Sequence, residues 1–103
     1  MISLNKRGTC GEHVKIRALY WDDANIEHIA QHSLDPVDIE GVCFGKHISF
    51  RGRGRRYVFY GKIEGGSMIM IVLERLYGQV FRPITARRMT DKEKRSYRRR
   101  VGE

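Results

Sequence analysis

The stretch SMIMIVLE (residues 67–74) is a run of six consecutive apolar residues between a serine and a glutamate. A strand with one face in water alternates apolar and polar residues, whereas a strand covered on both faces is apolar throughout. The run therefore predicts the central strand of a sheet that is buried on both sides.

On both sides of this run the sequence alternates with a period of two and is divided by glycine-containing turns. The other predicted strands of this meander are HISFR (47–51), RRYVFYGKI (55–63) and QVFRPITA (79–86), and the turns are GRG (52–54), EGG (64–66) and YG (77–78). Pro83 has no backbone N–H for the ladder, so the last strand should have an edge or a bulge near its end.

Ahead of the meander, HVKIRALYW (13–21) alternates and predicts a half-buried strand. The segment 22–34 predicts a helix that begins after Asp22 or Asp23 as N-cap. At helical spacing its core stripe is expected to consist of Ile26, Ile29 and Ala30.

A second, short helix is predicted for DPVDIEGVCFG (35–45), with Asp35 as cap, Pro36 in the first helical position and Gly45 at the end. The residues expected on its buried face are Ile39, Val42 and Cys43.

The last helix is predicted from Thr90 and Glu93, which form the capping box T-x-x-E, and it should run to about Arg100. Only Met89, Tyr97 and Val101 give it apolar groups to bury. The element order is then β-α-α-β-β-β-β-α. It predicts an α+β domain with a single antiparallel sheet over residues 13–103, preceded by a flexible tail at residues 1–12.

The net charge of +8 is carried by fourteen arginines against six lysines, and the segment 85–103 alone contributes +5. Arginine binds phosphate with a planar fork and stacks on bases, so this composition favours nucleic acid, an acidic protein or an anionic membrane as partner. Membrane binding is the least favoured, because the last helix lacks a broad apolar face. The two cysteines match no metal or redox spacing, and a cytoplasmic, reduced protein is expected.

Two basic stretches are candidate binding surfaces. In ITARRMTDKEKRSYRRR (84–100), Arg87 and Arg88 directly precede the capped helix, whose free N–H groups favour an anion. RGRGRRY (51–57) has a composition common in RNA-binding segments, and a plain hairpin loop has the same composition.

The histidines His28 and His32 are four residues apart on one helix. A metal site needs a third ligand that the sequence does not supply, so no metal or cofactor is expected. Solvation or packing explains both histidines, and His32 is alternatively a catalytic acid or base. Tyr97 is expected to anchor the last helix.

The segments WDDANIEHIAQHSLDPVDIEGV and ITARRMTDKEKRSYRRR, in this order and on either side of a strand-rich middle, resemble the BrnT family of type II toxins. The resemblance implies a RelE-like fold and metal-independent RNA cleavage. It also implies a ribbon-helix-helix antitoxin, and contact with operator DNA only through the antitoxin complex. The matching residues are Trp21, Asp22, Asn25, His32, Thr85, Ala86, Arg87, Arg88, Glu93 and Tyr97, and Ser33 stands where the family has glycine.

Metal-free RNA cleavage needs a base for the 2′-hydroxyl, an acid for the leaving 5′-oxygen and cations for the charge on phosphorus. As catalytic residues we hypothesise His32 for proton transfer, with Tyr97 or Tyr60 as substitute, and Arg87 for the charge. The expected RNA-binding residues are Arg53, Arg56, Tyr60, Arg82 and Arg88. The alternative is a non-catalytic basic module that binds nucleic acid or a protein partner.

Overall fold

The apolar run 68–73 lies in the central strand of a five-stranded sheet, in a computed structural model that describes residues 14–102. The elements are β1 (Ala18–Leu19), α1 (Asp23–Ala30), α2 (Pro36–Cys43), β2 (Ile48–Arg51), β3 (Arg56–Lys62), β4 (Met68–Tyr77), β5 (Val80–Arg88) and α3 (Asp91–Val101). This confirms the predicted element order and an α+β fold with one sheet. The predicted tail at residues 1–12 lies outside the described residues.

The strand order is β1-β5-β4-β3-β2, and the four strands of the meander pair antiparallel, as predicted. The pairing at one edge differs from the prediction, because β1 runs parallel to β5 and makes the sheet mixed. β1 is also shorter than the predicted strand 13–21. Val14 and Ile16 are buried as their alternation indicated, but only Ala18 and Leu19 join the ladder.

β5 has a bulge next to Pro83, as predicted. Thr85 pairs with Val72 and Pro83 pairs with Leu73, so Ile84 is an extra residue with no opposite partner. A proline has no N–H for the ladder, and a bulge is one of the few places where a strand accommodates it.

The sheet has one helix layer on each face. Ile29 of α1 and Ile39 of α2 pack with Phe59, Ile71 and Phe81 in the larger core. On the other face, the smaller core is built from Met70 of β4, Met89 before α3 and Tyr97 of α3, with partly buried neighbours from β2, β3 and β4. The first six residues of β4 (68–73) are thereby covered on both sides, which explains why they are all apolar.

The predicted core stripe of α1 is only partly correct. Ile29 is buried, but Ile26 is 38% exposed and Ala30 is exposed. Asn25 is buried instead, and so is Leu34, which lies beyond the end of α1 at Ala30 because the helix is shorter than the predicted 22–34. The amide of Asn25 accepts from Asp22 N–H at 2.9 Å and donates to the Tyr20 carbonyl at 3.0 Å, so this polar side chain is buried with its hydrogen bonds satisfied.

The helix α2 begins and is buried as predicted, with Asp35 as N-cap and Pro36 in the first turn. Ile39, Val42 and Cys43 are its buried residues, and burial raises the pKa of the Cys43 thiol to about 12. None of the helices within residues 14–102 is long and apolar enough to cross a membrane.

Alanine substitutions at two glycines, Gly61 of β3 and Gly41 of α2, test how tightly α2 packs on β3. A Cβ at Gly61 would lie 2.7 Å from Val42 Cγ1 and 3.2 Å from the Lys46 carbonyl oxygen, whereas a Cβ at Gly41 has no neighbour within 4 Å. Gly61→Ala should therefore lower the free energy of unfolding by about 1–3 kcal/mol, the usual cost of overpacking. Gly41→Ala should raise it by about 0.5–1 kcal/mol, since alanine favours the helix. Urea denaturation of both variants measures this, and equal effects would contradict the close packing.

Candidate functional site

A row of four side chains crosses the sheet on the face that carries α3. Ile48 is opposite Tyr60, Tyr60 is opposite Met70, and Met70 is opposite Arg87. Directly opposite residues of antiparallel strands point to the same face, so these four side chains lie side by side. The row brings Tyr60 and Arg87, two of the residues predicted from sequence, to the same region of the surface.

Arg87 forms a two-pronged ion pair with Glu93 in the first turn of α3. The Nη1–Oε1 distance is 2.8 Å and the Nη2–Oε2 distance is 3.0 Å. Nη1 also donates to the Arg88 carbonyl at 3.0 Å. Arginine has five N–H donors, of which these contacts use three. The side chain remains 38% exposed, which leaves part of the guanidinium facing solvent.

Glu93 is held at this point by the start of α3. Its Oε1 accepts from the Thr90 backbone N–H at 2.9 Å, and its own N–H donates to Thr90 Oγ1 at 3.2 Å, so the predicted capping box is present. Hydrogen bonds from Arg87 keep the pKa of Glu93 below its ordinary value; partial burial opposes this shift and the Thr90 N–H adds to it. The pKa of Arg87 is raised, mainly by its hydrogen bonds to Glu93.

The phenol of Tyr60 completes the network, which we call the Tyr60–Glu93–Arg87 network. Burial is the main reason that the pKa of Tyr60 is raised; the negative charge of Glu93 and the hydrogen bond to it act in the same direction, while Arg87 acts against them. The phenol is therefore protonated at neutral pH, and it lies beside Glu93 in the lining of one groove. A proton donor, a carboxylate and a guanidinium thus lie side by side at one place.

A groove of about 310 Å³ runs from this network between α3 and the strands β2 and β3. Its lining residues are Ile48, Phe50, Val58, Tyr60, Lys92, Glu93, Ser96, Tyr97 and Arg100. The Arg100 guanidinium lies over the Phe50 ring, with 5.1 Å between the guanidinium carbon and the ring centroid. Its Nε donates to Ser96 Oγ at 3.4 Å. The groove therefore has an apolar floor and a cationic rim.

The same face of the sheet continues beyond the row of Tyr60 and Arg87. The next row consists of Phe50, Val58, Val72 and Thr85, and the one after it of Arg56, Glu74 and Arg82. Arg56 is exposed at the start of β3, and Arg53 is exposed in the β2–β3 turn. The predicted binding residues Arg53 and Arg56 thus lie at the margin of this face.

Arg82 has a structural partner. Its Nε and Nη2 donate to Asp22 Oδ2 at 3.1 and 3.0 Å, which ties β5 to the N-cap of α1. The pKa of Asp22 is lowered, first by the Asn25 backbone N–H that it caps and then by Arg82, with desolvation opposing. Arg82 therefore joins β5 to the start of α1.

His32 and Arg88 lie together at the end of α1. Arg88 Nη1 donates to the His32 carbonyl oxygen at 3.2 Å, and the rings of His28 and His32 are 6.3 Å apart. Because α1 packs on the sheet face opposite α3, the fold separates His32 from Tyr60, Arg87 and Tyr97. Ser33 has a φ of 62°, a conformation that favours glycine.

Tyr97 is buried to 3% exposure against Met70 and Met89, so it anchors α3 as the sequence predicted. It also contributes to the lining of the groove. Among residues 14–102 there is no group of three or more His, Cys, Asp or Glu side chains that could hold a metal ion.

Glu93 was not predicted as a member of the site, nor were the groove residues Phe50 and Arg100. The capping box did reveal that Glu93 lies in the first turn of α3, just after Arg87 in sequence. Its contact with Tyr60 depends on the register of β3 and β4, which no local pattern reveals.

In comparisons with known proteins, no protein-family model matches the chain and no curated protein matches it at a significant level.

A pH titration tests the ion pair between Glu93 and Arg87. The pKa of Glu93 is lower in the folded protein than its ordinary value of 4.5, so the unfolded chain binds more protons as the pH falls. The stabilisation is present above about pH 4.5 and lost as the pH falls through the folded value. In urea denaturation between about pH 5 and pH 3, the wild type should lose stability more steeply than Glu93→Gln. Glu27→Gln, an exposed glutamate on α1, is the control, and equal slopes for wild type and Glu93→Gln would contradict the pair.

Proposed function

We propose that this protein is a metal-independent endoribonuclease, acting as the toxin of a type II toxin–antitoxin pair. The observation that carries the proposal is the Tyr60–Glu93–Arg87 network, which joins a proton donor, a carboxylate and a guanidinium at the end of a groove with a cationic rim. The net charge of +8 and the sequence resemblance to the BrnT family support it further.

The proposed reaction is an attack by the RNA's own 2′-hydroxyl. The O2′–P bond forms while the P–O5′ bond breaks, and the products are a 2′,3′-cyclic phosphate and a 5′-hydroxyl. One proton leaves O2′ and one arrives at O5′, so neither water nor a metal is consumed in this step. The side chains must accept the first proton, supply the second and stabilise the negative charge on the phosphoryl oxygens.

The network offers one group for each task. Glu93 is ionised at neutral pH, since its pKa is lowered, and accepts the proton from O2′. Tyr60 keeps its proton, since its pKa is raised, and gives it to O5′. Because the two side chains are neighbours, Glu93 can return its proton to Tyr60 afterwards. Arg87 uses its solvent-facing edge for the phosphoryl oxygens.

In this proposal Glu93 and Tyr60 take the proton transfers that the sequence suggested for His32. His32 is on the α1 side of the sheet, beside Arg88, and remains the second candidate. Tyr97 acts by holding α3, and with it Glu93, against the sheet.

The proposed partner is a ribbon-helix-helix antitoxin, and operator DNA is contacted only through that complex. The basis is the BrnT resemblance together with charge, because an acidic antitoxin segment would complement the cationic surface. Co-expression with the neighbouring reading frame should yield a complex that co-purifies and suppresses toxicity.

The deciding experiment is incubation of the purified chain with end-labelled single-stranded RNA, with and without EDTA. The expected result is fragments that end in 2′,3′-cyclic phosphate, formed at the same rate in EDTA. Intact RNA, or cleavage that EDTA abolishes, would contradict the proposed mechanism.

The second candidate function is a basic binding module without catalysis. The ion pair itself favours this function. Glu93 binds Nη1 and Nη2 of Arg87, and the lowered pKa of Glu93 makes its carboxylate a weak base. This function predicts binding that weakens steeply with salt, without any fragments.

A further inference from the structure

We propose that the groove between α3 and the β2–β3 hairpin binds one unstacked nucleobase of the RNA strand. The inference rests on the proposed function, because it identifies the substrate class of the same site as single-stranded RNA. It concerns binding only, so it can be tested apart from cleavage.

The floor of the groove suits a flat aromatic ligand. Ile48 and Val58 contribute apolar side chains, and the rings of Phe50 and Tyr60 meet edge to face, with centroids 6.0 Å apart. The volume of about 310 Å³ is at the small end of the range for ligand pockets and suits one base rather than a peptide segment. Bases stack on aromatic rings whatever their sequence, because every base has a π-face.

The rim favours a ligand that also carries negative charge. Arg100 lies over the Phe50 ring and Lys92 lines the same groove. A guanidinium above an aromatic ring forms a layered contact that a base can extend or replace. A purely apolar ligand would use only the floor of the groove, whereas a nucleotide contacts both the floor and the cations at the rim.

The groove and the network share Tyr60 and Glu93. A base in the groove therefore brings its sugar and phosphate close to Arg87. In a double helix each base is stacked and paired, so only an unpaired base can enter. The geometry thus selects single-stranded over double-stranded nucleic acid and sets which phosphodiester faces the guanidinium.

Binding can be measured with the four nucleoside 3′-monophosphates, using calorimetry and amide NMR shifts on the full chain. Inorganic phosphate and the matching nucleosides serve as controls, because each represents one part of the nucleotide. The nucleotides should bind at least tenfold more tightly than either half, and their shifts should centre on Phe50, Tyr60 and Ser96. Equal affinity for phosphate alone would overturn the pocket.

Four variants locate the ligand. Phe50→Ala should weaken nucleotide binding about tenfold, since stacking on an aromatic ring is worth about that much per base. Arg100→Ala should also weaken it, whereas Arg99→Ala, an exposed arginine of the same helix, should not. Ser96→Trp fills the groove while leaving both cores intact, so it remains informative if Phe50→Ala fails to fold. Normal nucleotide binding by Ser96→Trp would overturn the pocket.

The outcomes separate this inference from the proposed function. Nucleotide binding without RNA cleavage supports the pocket and contradicts the nuclease. Cleavage by a chain that binds no nucleotide, and whose Ser96→Trp variant is fully active, contradicts the pocket and leaves the nuclease standing.

Discussion

Arg87→Ala should lower the rate of RNA cleavage by about 10²–10³-fold, the usual effect of removing one donor that stabilises charge in a transition state. Arg87 is the guanidinium of the Tyr60–Glu93–Arg87 network and is still partly open to solvent. Arg87→Lys should be intermediate, because lysine keeps the charge but not the planar fork. Single-turnover cleavage of labelled RNA measures the effect.

Controls for this prediction must separate catalysis from folding, because Arg87 also joins β5 to α3. The near-UV spectrum and urea midpoint of each variant establish whether it is folded. Arg17→Ala removes the same charge from an exposed position near β1 and should keep the wild-type rate. A folded Arg87→Ala protein that cleaves at the wild-type rate would exclude Arg87 from the reaction. Loss of activity in His32→Ala alone would favour the histidine.

Phe59→Ala should lower the free energy of unfolding by about 3–5 kcal/mol. Phe59 is fully buried in the larger core, and its ring packs against His47 with centroids 4.5 Å apart. Removing the ring leaves a cavity in the larger core beside β3, where the neighbouring strands β2 and β4 limit collapse. Chemical denaturation monitored by circular dichroism gives the value.

Two further variants calibrate that measurement. Phe59→Leu keeps most of the volume and should cost clearly less than Phe59→Ala. Val37→Ala changes a side chain of α2 that is 74% exposed and should stay within about 0.5 kcal/mol of wild type. A small loss for Phe59→Ala would mean that the larger core is less well packed than described.

Much of the fold could be predicted because its signals are local. The apolar run 68–73 and the glycine turns identified the meander, and the capping residues Asp35 and Thr90 identified the starts of α2 and α3. Each signal reflects contacts within a few residues of the chain. The bulge at Pro83 was predictable for the same reason, since it follows from a missing N–H.

The errors lie where distant segments meet. The alternation in 13–21 correctly indicated burial of Val14 and Ile16, but the parallel pairing with β5 depends on a strand some sixty residues away. In α1, Asn25 was not expected inside, because its burial depends on hydrogen bonds to the backbone of Tyr20 and Asp22.

The candidate site was predictable only where the chemistry of single residues identifies it. Charge density pointed to Arg87, and residue chemistry pointed to Tyr60 and Tyr97. That Tyr60 and Arg87 share a row follows from the ladders β3–β4 and β4–β5, and that His32 is on the other side of the sheet follows from the packing of α1. No periodicity within one segment contains this information.

The carboxylate of Glu93 serves two purposes, as part of the α3 capping box and as the partner of Arg87. Binding of an anion at Arg87 and fraying of the first turn of α3 are consequently linked equilibria. A phosphate that draws Arg87 away removes the ion pair and leaves Glu93 to the Thr90 capping box, so part of the binding free energy is used to loosen the first turn of α3. By the same linkage, conditions that fray this turn release Arg87 and increase its affinity for anions.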